Sequence, residues 1–484
     1  MPAPVLLVNP NRMRPAIAPL ALEYLGAALR TAGVPFTLCD LCFAEDPPAA
    51  LASALREHEP RLIAMTMRNA DDCYCATQHS FIPDMAELVA HVREHSDGTV
   101  VLGGAGYSTA PEAILQHVGA DLGVVGDGEE ALVALGSGAV HRAQPRGRDE
   151  SRRYNDIPGV VWRDGDAVRR NPPAFADFGA MALSRDLLDN ARYFREGGQG
   201  GLETKRGCPM TCTYCADVHS KGTRCRLRPP QAVVTEARRL IAQGVNAVHL
   251  CDSEFNLPAE HAKAVCTAMA EAGLDEQWRW WAYLSPAPFD DELAGLLVRA
   301  GCAGVNFGTD SGDTEMLRRL GRQYGPGDIR ATARLCREHG LTFMCDLLLG
   351  GPGETRESLR RSMELMKQIA ADCVGVALGM RLYAGTAAAR EVFAQGFTTE
   401  NPSLRGRIEN NEAMAWPVYY LESGLGEDVI PYLRELIGGD RRFFFGWPDE
   451  AQADYNYDGN EVLTEAIRKG ARGAYWDILR GISP

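Results

Sequence analysis

The 484-residue sequence has no apolar run of the ~18 residues needed to span a bilayer, so no membrane-spanning helix is expected. Residues 1–19 lack the basic, apolar and small-residue order of an export signal, and the expected location is the cytoplasm. Positive charge is also scarce: 50 Lys and Arg stand against 64 Asp and Glu, a net charge of −14. That balance excludes holding nucleic acid mainly through its phosphates, and no such partner is expected. Nor is a disulfide framework expected. Fourteen cysteines without an export signal stay as thiols, which points to packing residues plus a metal or cluster site. What is present is an ordinary globular composition, 45% hydrophobic and 24% charged, enough for several domains at ~150 residues each.

Short apolar runs at 4–9, 36–41, 61–67, 99–102 and 122–125 alternate with helical patterns such as 20–32 and 84–95. Strands alternating with helices of this length imply βαβ units and a doubly wound parallel sheet covered on both faces. Such sheets bind ligands at the carboxyl ends of their strands. Those ends carry Arg68 and Asn69, the turn of Gly103, Gly104 and Ser108, and the turn of Gly126 and Glu129. Alone, these loops indicate a small polar ligand or nucleotide, or simply tight turns. As a set they resemble the cobalamin-binding domain that precedes many radical S-adenosylmethionine enzymes. The resemblance implies that Gly103, Gly104, Ser108, Gly126 and Glu129 surround the nucleotide tail of cobalamin, while Arg68 and Asn69 face the lower side of cobalt. The B12-ligand pattern Asp-x-His-x-x-Gly is missing, since none of the ten histidines is so placed. This speaks against histidine ligation of cobalt and leaves a vestigial, empty domain as the competing reading.

The segment 143–200 loosens into charged and Pro/Gly-containing stretches such as 144–149, with a hairpin expected at 159–165, and reads as a linker. Next comes the most informative stretch, ETKRGCPMTCTYC at 203–215, where Cys208, Cys212 and Cys215 are spaced by three and then two residues. Iron–sulfur cubanes normally take four cysteines, so three on one loop leave one iron open to a ligand. This C-x3-C-x2-C loop, just after a strand expected at 201–204, is similar to the signature of the radical S-adenosylmethionine superfamily. The resemblance implies that the open iron chelates the amino and carboxylate groups of S-adenosylmethionine, with Tyr214 near the adenine. A zinc site completed by His219 or Cys225 is the rival reading. Cys39, Cys42, Cys73, Cys75, Cys251, Cys266, Cys302, Cys336, Cys345 and Cys373 are expected to be buried packing thiols.

Strands expected at 247–251, 279–284, 304–307, 342–349 and 375–378, added to 201–204, make six, as in the partial (β/α)6 barrel that the resemblance implies. In parallel barrels the chemistry sits at the carboxyl ends of the strands. There the family places Asp252, Ser253 and Glu254 at the methionine amino end of S-adenosylmethionine. Asp310 and Ser311 would take its ribose, Gly351 would approach adenine, and Arg381 would pair with the carboxylate. The duller reading makes Glu254, Glu354 and Asp310 caps of the helices that follow them. The final stretch is rich in aromatics, expected to be mostly core with some capping the barrel mouth: Trp416, Tyr419, Tyr420, Phe443, Phe444, Phe445, Trp447, Tyr455, Tyr457, Tyr475 and Trp476.

The expected fold is therefore α/β: a Rossmann-like B12-type domain at 1–142, a linker at 143–200, a radical S-adenosylmethionine partial barrel at 201–389 and an α-rich substrate cap at 390–484. The resemblance implies a cobalamin-dependent methyltransferase of class B type acting on an unactivated carbon of a small, natural-product-like molecule. Its cofactors would be a [4Fe-4S] cluster, S-adenosylmethionine and cobalamin, with flavodoxin or ferredoxin as electron donor. In that family one S-adenosylmethionine yields a 5′-deoxyadenosyl radical, and a second methylates cobalt. Two alternatives remain. One keeps the radical step without methyl transfer, as in a dehydratase, an epimerase or a rearranging enzyme like an aminoglycoside diol dehydratase; the other is a non-catalytic cobalamin sensor or cluster carrier.

Overall fold

A computed structural model describes residues 4–137, 154–447 apart from 176, 178, 180 and 182, and 458–482. The linker stretch 144–149 and the aromatics Tyr455 and Tyr457 fall outside them.

Five short apolar segments build the first sheet: β1 (Val5–Asn9), β2 (Phe36–Asp40), β3 (Leu62–Thr66), β4 (Thr99–Gly103) and β5 (Leu122–Val124). All pair in parallel, in the order β2-β1-β3-β4-β5. Successive side chains point to opposite faces and both faces are covered, which is why the strands are mainly apolar. Leu6, Val8, Ile63 and Met65 join one core, and Val5, Leu7, Leu62 and Ala64 the other. A hairpin forms as β6 (Val160–Asp164) and β7 (Ala167–Arg170), longer than the 159–165 expected, which covers the first strand alone. It does more than connect: β6 pairs antiparallel with β5, so the linker extends the first sheet to seven strands.

The second unit opens with β8 (Gly200–Leu202), followed by a two-stranded ribbon of β9 (Lys205–Arg206) and β10 (Arg226–Leu227) that brackets the cysteine loop. Then come β11 (Ala247–Leu250), β12 (Arg279–Leu284), β13 (Cys302–Asp310), β14 (Thr342–Leu349) and β15 (Cys373–Leu378), each pairing in parallel with the one before. With β8 at the edge these are the six strands of the expected partial barrel. Beyond them lie β16 (Met380–Arg381), β17 (Leu404–Gly406) and β18 (Val418–Tyr420), a small antiparallel sheet, and β19 (Phe443–Phe444). The last strand returns to pair with β15, adding a seventh strand that two phenylalanines alone do not announce. Helices Val429–Ile437, Glu461–Arg468 and Tyr475–Ile482 complete the carboxyl-terminal region. Tyr419, Tyr420, Phe443, Phe444, Phe445 and Trp476 are buried, as expected of core aromatics. Trp416 instead packs edge-on against His117 of the first domain, ring centres 4.9 Å apart. No helix among the described residues is long and apolar enough to cross a membrane.

The two units meet through buried charges. Asp127 and Glu129, after β5, engage Arg206 of β9 at 3.3 and 2.7 Å, and Asp127 also engages Arg226 of β10. Arg185 lies between Glu236, at 2.7 Å, and Glu23 of the first domain, at 3.8 Å. These pairs turn the carboxyl ends of the first sheet toward the mouth of the barrel.

Candidate active site

The cysteine loop leaves β9 through Gly207, whose φ of +94° suits glycine and where a Cβ would lie 2.2 Å from the Arg224 carbonyl. Backbone bonds then fix it: Cys208 N donates to Gly222 O (3.1 Å) and Thr213 N to Leu320 O (3.0 Å). Cys208 is buried, while Cys212 and Cys215 are half-buried. Burial pushes all three thiols up, Cys212 to about 11 and Cys215 to about 12, with Asp217, Glu254 and Asp310 nearby acting in the same sense. Three cysteines on one loop are a suitable donor set for an iron cluster, whose positive charge would offset the cost of ionising them there. Cys225 is tied up elsewhere, its sulfur contacting the carbonyls of Gly207 (3.6 Å) and Leu257 (3.5 Å).

Around this loop three of the residues singled out by sequence come together on a fourth that was not, Arg322. Its Nε donates to Asp310 (2.5 Å), Nη2 to the Tyr214 hydroxyl (2.8 Å) and Nη1 to Glu254 (3.3 Å). Tyr214 also donates to Asp310 at 2.7 Å. Asp310 adopts a left-handed φ of +60°, rare for a residue with a side chain, and is no helix cap. Asp313 caps the next helix instead, accepting from Met316 N at 2.9 Å. Two buried groups beside the loop lack a hydrogen-bond partner among the described residues: Glu254 Oε2 and the ammonium of Lys205. An orphan acceptor and an orphan cation suit the amino and carboxylate groups of a bound amino acid, and S-adenosylmethionine carries both.

The other expected cofactor residues divide. Asp252 is filled by the protein, accepting from Thr204 N (2.8 Å), Thr204 Oγ1 (2.5 Å) and Lys205 N (3.3 Å). Ser253 donates to Asp217 (2.7 Å) and so steadies the helix after the triad. Ser311 is buried against Ser362 at 3.1 Å. Gly351 is buried in its turn, with room beside it: a Cβ there would meet nothing closer than Met380 Sδ at 3.7 Å. Arg381 is the clearest departure. Its guanidinium is paired with the buried carboxylate of Asp71 of the first domain, at 2.8 and 3.0 Å.

Glu354 accepts from Gly350 N and Ser358 and braces its own turn, and burial raises its pKa to about 7. The folded chain thus holds a proton there that the unfolded chain releases near 4.5, so stability is full below pH 4.5 and is lost as pH rises through 7. We expect Glu354→Gln to flatten this decline, worth on the order of 2 kcal/mol, when denaturant melts at pH 5 and pH 8 are compared.

On the first domain, Arg68 and Asn69 follow β3, and Arg68 Nη1 reaches Met13 Sδ at 3.8 Å. Gly104 and Gly126 have φ of +109° and +83°. At Gly103 a Cβ would meet only Val124 O, at 3.8 Å, which leaves that backbone open to close approach. Ser108 works within its loop, donating to Gly104 O (2.9 Å) and accepting from Gly126 N (3.4 Å). Glu129 serves the domain contact already described. The open backbone at Gly103, beside the loop that carries Arg68 and Asn69, would let a cofactor such as cobalamin approach closely.

Between the two loops lies the barrel lumen. Alternation along β11 and β12 turns His249, Cys251 and Tyr283 inward, while Val248, Leu250, Ala282 and Leu284 are buried in the core outside. The His249 and Tyr283 rings lie 4.8 Å apart. Farther round, Asn306 Nδ2 donates to Asp346 at 2.7 Å, leaving Asn306 Oδ1 buried without a partner. Cys251 and Cys73 are exposed, unlike the other expected packing cysteines. Burial pushes the thiol of Cys251, just after β11, up to about 11, and Arg68 of the first domain is among the charges close enough to oppose that rise, so the cobalamin-type loop and the lumen are neighbours.

Residues 202–366 match the family model of the Radical SAM superfamily, and residues 13–136 that of the B12 binding domain. The chain is 31% identical, over 98% of its length, to the tryptophan 2-C-methyltransferase of Streptomyces laurentii, of which it covers 95%. It belongs to the cobalamin-dependent radical S-adenosylmethionine methyltransferases. A solved relative, the radical S-adenosylmethionine methyltransferase TsrM of Kitasatospora setae with tryptophan and a S-adenosylmethionine analogue bound, superposes with a TM-score of 0.89 at 31% identity. That match covers 99% of this chain and 97% of TsrM. The same relative has been solved with cobalamin and a [4Fe-4S] cluster. The cobalamin-dependent enzyme OxsB, at 16% identity and a TM-score of 0.69, shares the fold. This methyltransferase therefore uses a cluster, S-adenosylmethionine and cobalamin on a small-molecule substrate, and the readings with a vestigial front domain or without catalysis are set aside.

Proposed function

We propose that this methyltransferase places a methyl group on a ring carbon of an indole, with tryptophan or a close analogue as substrate. The observation that carries this reading is the lumen. His249 and Tyr283 offer two aromatic rings inclined by 50° to each other, and the Asn306–Asp346 pair offers an acceptor for an amine or an indole N–H. The near full-length likeness to a tryptophan 2-C-methyltransferase supports it.

In this reading Cys208, Cys212 and Cys215 hold the cluster. Tyr214, Glu254, Asp310 and Gly351 hold S-adenosylmethionine, with Arg322 as their brace and Lys205 facing its carboxylate. Arg68, Asn69, Gly103, Gly104 and Gly126 receive cobalamin, their loops shaped by Ser108 and Glu129. When bound, these groups supply the electron and the methyl transfer. The chain's own part is to hold substrate between the two loops, exclude water and keep His249 neutral: burial pushes that ring down to about 4. The division at 142, 200 and 389, a flavodoxin or ferredoxin as electron donor and a cytoplasmic location complete the proposal.

The test is anaerobic reconstitution with S-adenosylmethionine and tryptophan. Methylated tryptophan and S-adenosylhomocysteine in equal amounts are expected. S-adenosylhomocysteine formation that tryptophan and other indoles fail to stimulate would overturn the substrate assignment.

A further inference from the structure

The first domain carries a second group of metal-ligating side chains, remote in sequence from the cysteine loop and unused by the methyl-transfer site. His91, Glu94 and His95 lie at the carboxyl-terminal end of helix Ile82–His95 and offer one ligand atom each, all within 4.8 Å of one another. The spacing alone, at i, i+3 and i+4, only places them on one face. Their hydrogen bonds say more. His91 Nε2 lies 2.8 Å from the Pro48 carbonyl, and His95 Nδ1 lies 3.0 Å from the His91 carbonyl. A carbonyl oxygen only accepts, so each of these nitrogens carries the proton. In neutral imidazole the other nitrogen is then a bare lone pair, and the tautomers leave His91 Nδ1 and His95 Nε2 free to bind a cation. A histidine ligand that donates its second N–H to a backbone carbonyl is the usual outer-shell arrangement of protein metal sites.

Distances and electrostatics agree. Glu94 Oε2 stands 3.6 Å from His91 Nδ1, too far for a hydrogen bond. Two ligands at the usual bond length to a tetrahedral zinc stand about 3.4 Å apart, close to that separation. The two imidazole rings lie 4.4 Å apart, inclined by 43°. A carboxylate in the last turn also faces the negative end of the helix dipole, an unfavourable place unless a cation is present. Arg93, the nearest arginine in sequence, is engaged elsewhere, by Gly98 O (3.0 Å) and Asp121 (2.6 Å).

We propose that His91, Glu94 and His95 form a divalent transition-metal site, for zinc or a cation of like preference, with water in the remaining positions. Imidazole and carboxylate suit such ions, and the exposed Glu94 leaves the site open to solvent. Bound there, the ion would neutralise the helix end and fix the His91 ring that reaches the first turn of helix Pro47–His58. Its role is to staple two helices of the cobalamin-binding domain together, apart from the chemistry.

The test uses enzyme loaded with cluster and cobalamin, so that the cysteine loop is filled, and titrates it with zinc chloride in a calorimeter. Wild type is expected to take up a zinc equivalent that His91→Gln/His95→Gln loses or binds roughly tenfold or more weakly, with Glu94→Gln in between. Crystals soaked in zinc should show an anomalous peak between the three side chains. Methyl transfer should be unchanged in both variants. If the double variant fails to fold for want of the Pro48 bond, the exposed Glu94→Gln and the anomalous peak decide alone. Equal zinc affinity in wild type and variants, or a peak elsewhere, would overturn the site.

Discussion

Replacing Cys208, Cys212 and Cys215 together by alanine should bring bound iron and its broad visible absorption to background and abolish methyl transfer, while the chain stays folded. The fold survives because the loop is built from main-chain bonds and a glycine turn at 207, none of which uses a thiol. Cluster assembly is not expected to survive, because in the proposed site these three cysteines supply the thiolates at the iron. Cys225→Ala is the informative control. Its sulfur lies against the Gly207 and Leu257 carbonyls, so iron content should match wild type. A zinc site completed by Cys225 would give the opposite pattern: metal lost in Cys225→Ala, and zinc rather than iron in the wild-type protein. Iron analysis with electron paramagnetic resonance of the reduced protein separates the two.

The contrast between the triad and its surroundings shows which information a sequence carries on its face. Cys208, Cys212 and Cys215 sit within one loop, so their relation is a spacing, and spacing is legible. The parallel strands are legible for a similar reason: β1 and β3 are apolar at every position but the last because both faces are covered, a local pattern with a tertiary cause. Arg322 was missed because nothing local marks it. It follows a helix end like any surface arginine, and its importance comes from Tyr214, Glu254 and Asp310, which arrive from three other elements. Lys205 was passed over within the motif for the opposite reason, since a lysine beside an arginine reads as a solvated face, yet it is 1% exposed. The edge strands β7 and β19 were invisible as sheet members because an edge is defined by what it pairs with. His249 and Tyr283 were read only as parts of strands, since inward and outward positions look alike until the barrel closes.

Arg381 carries that lesson to a measurable outcome. At the end of a barrel strand, an arginine suits a cofactor carboxylate; in the folded protein its three guanidinium nitrogens all donate within the chain, to Asp71, Met414 O and Leu382 O. Asp71 is 1% exposed and also accepts from Cys73 N at 2.9 Å, so it anchors its own loop as well as the barrel. Removing one partner of such a pair strands a charge in a dry interface, which costs about 3 to 5 kcal/mol. Asp71→Ala is therefore expected to lower the melting temperature by several degrees. Arg381→Met should be milder, since the methionine fills part of the space beside Tyr383, over whose ring the guanidinium lies 4.7 Å from the centroid. The double variant Asp71→Ala/Arg381→Met removes both charges and should be more stable than Asp71→Ala alone, because it leaves no unpaired charge, only the backbone groups of Cys73, Leu382 and Met414 that the pair had served. Binding of S-adenosylmethionine to the cluster-loaded protein supplies the opposing outcome. If Arg381 held the cofactor carboxylate, Arg381→Met would weaken that binding with little change in melting temperature, and Asp71→Ala would leave it intact. The ion pair predicts the reverse order: both single variants destabilise, and each disturbs cofactor binding only as far as the first domain loosens from the barrel.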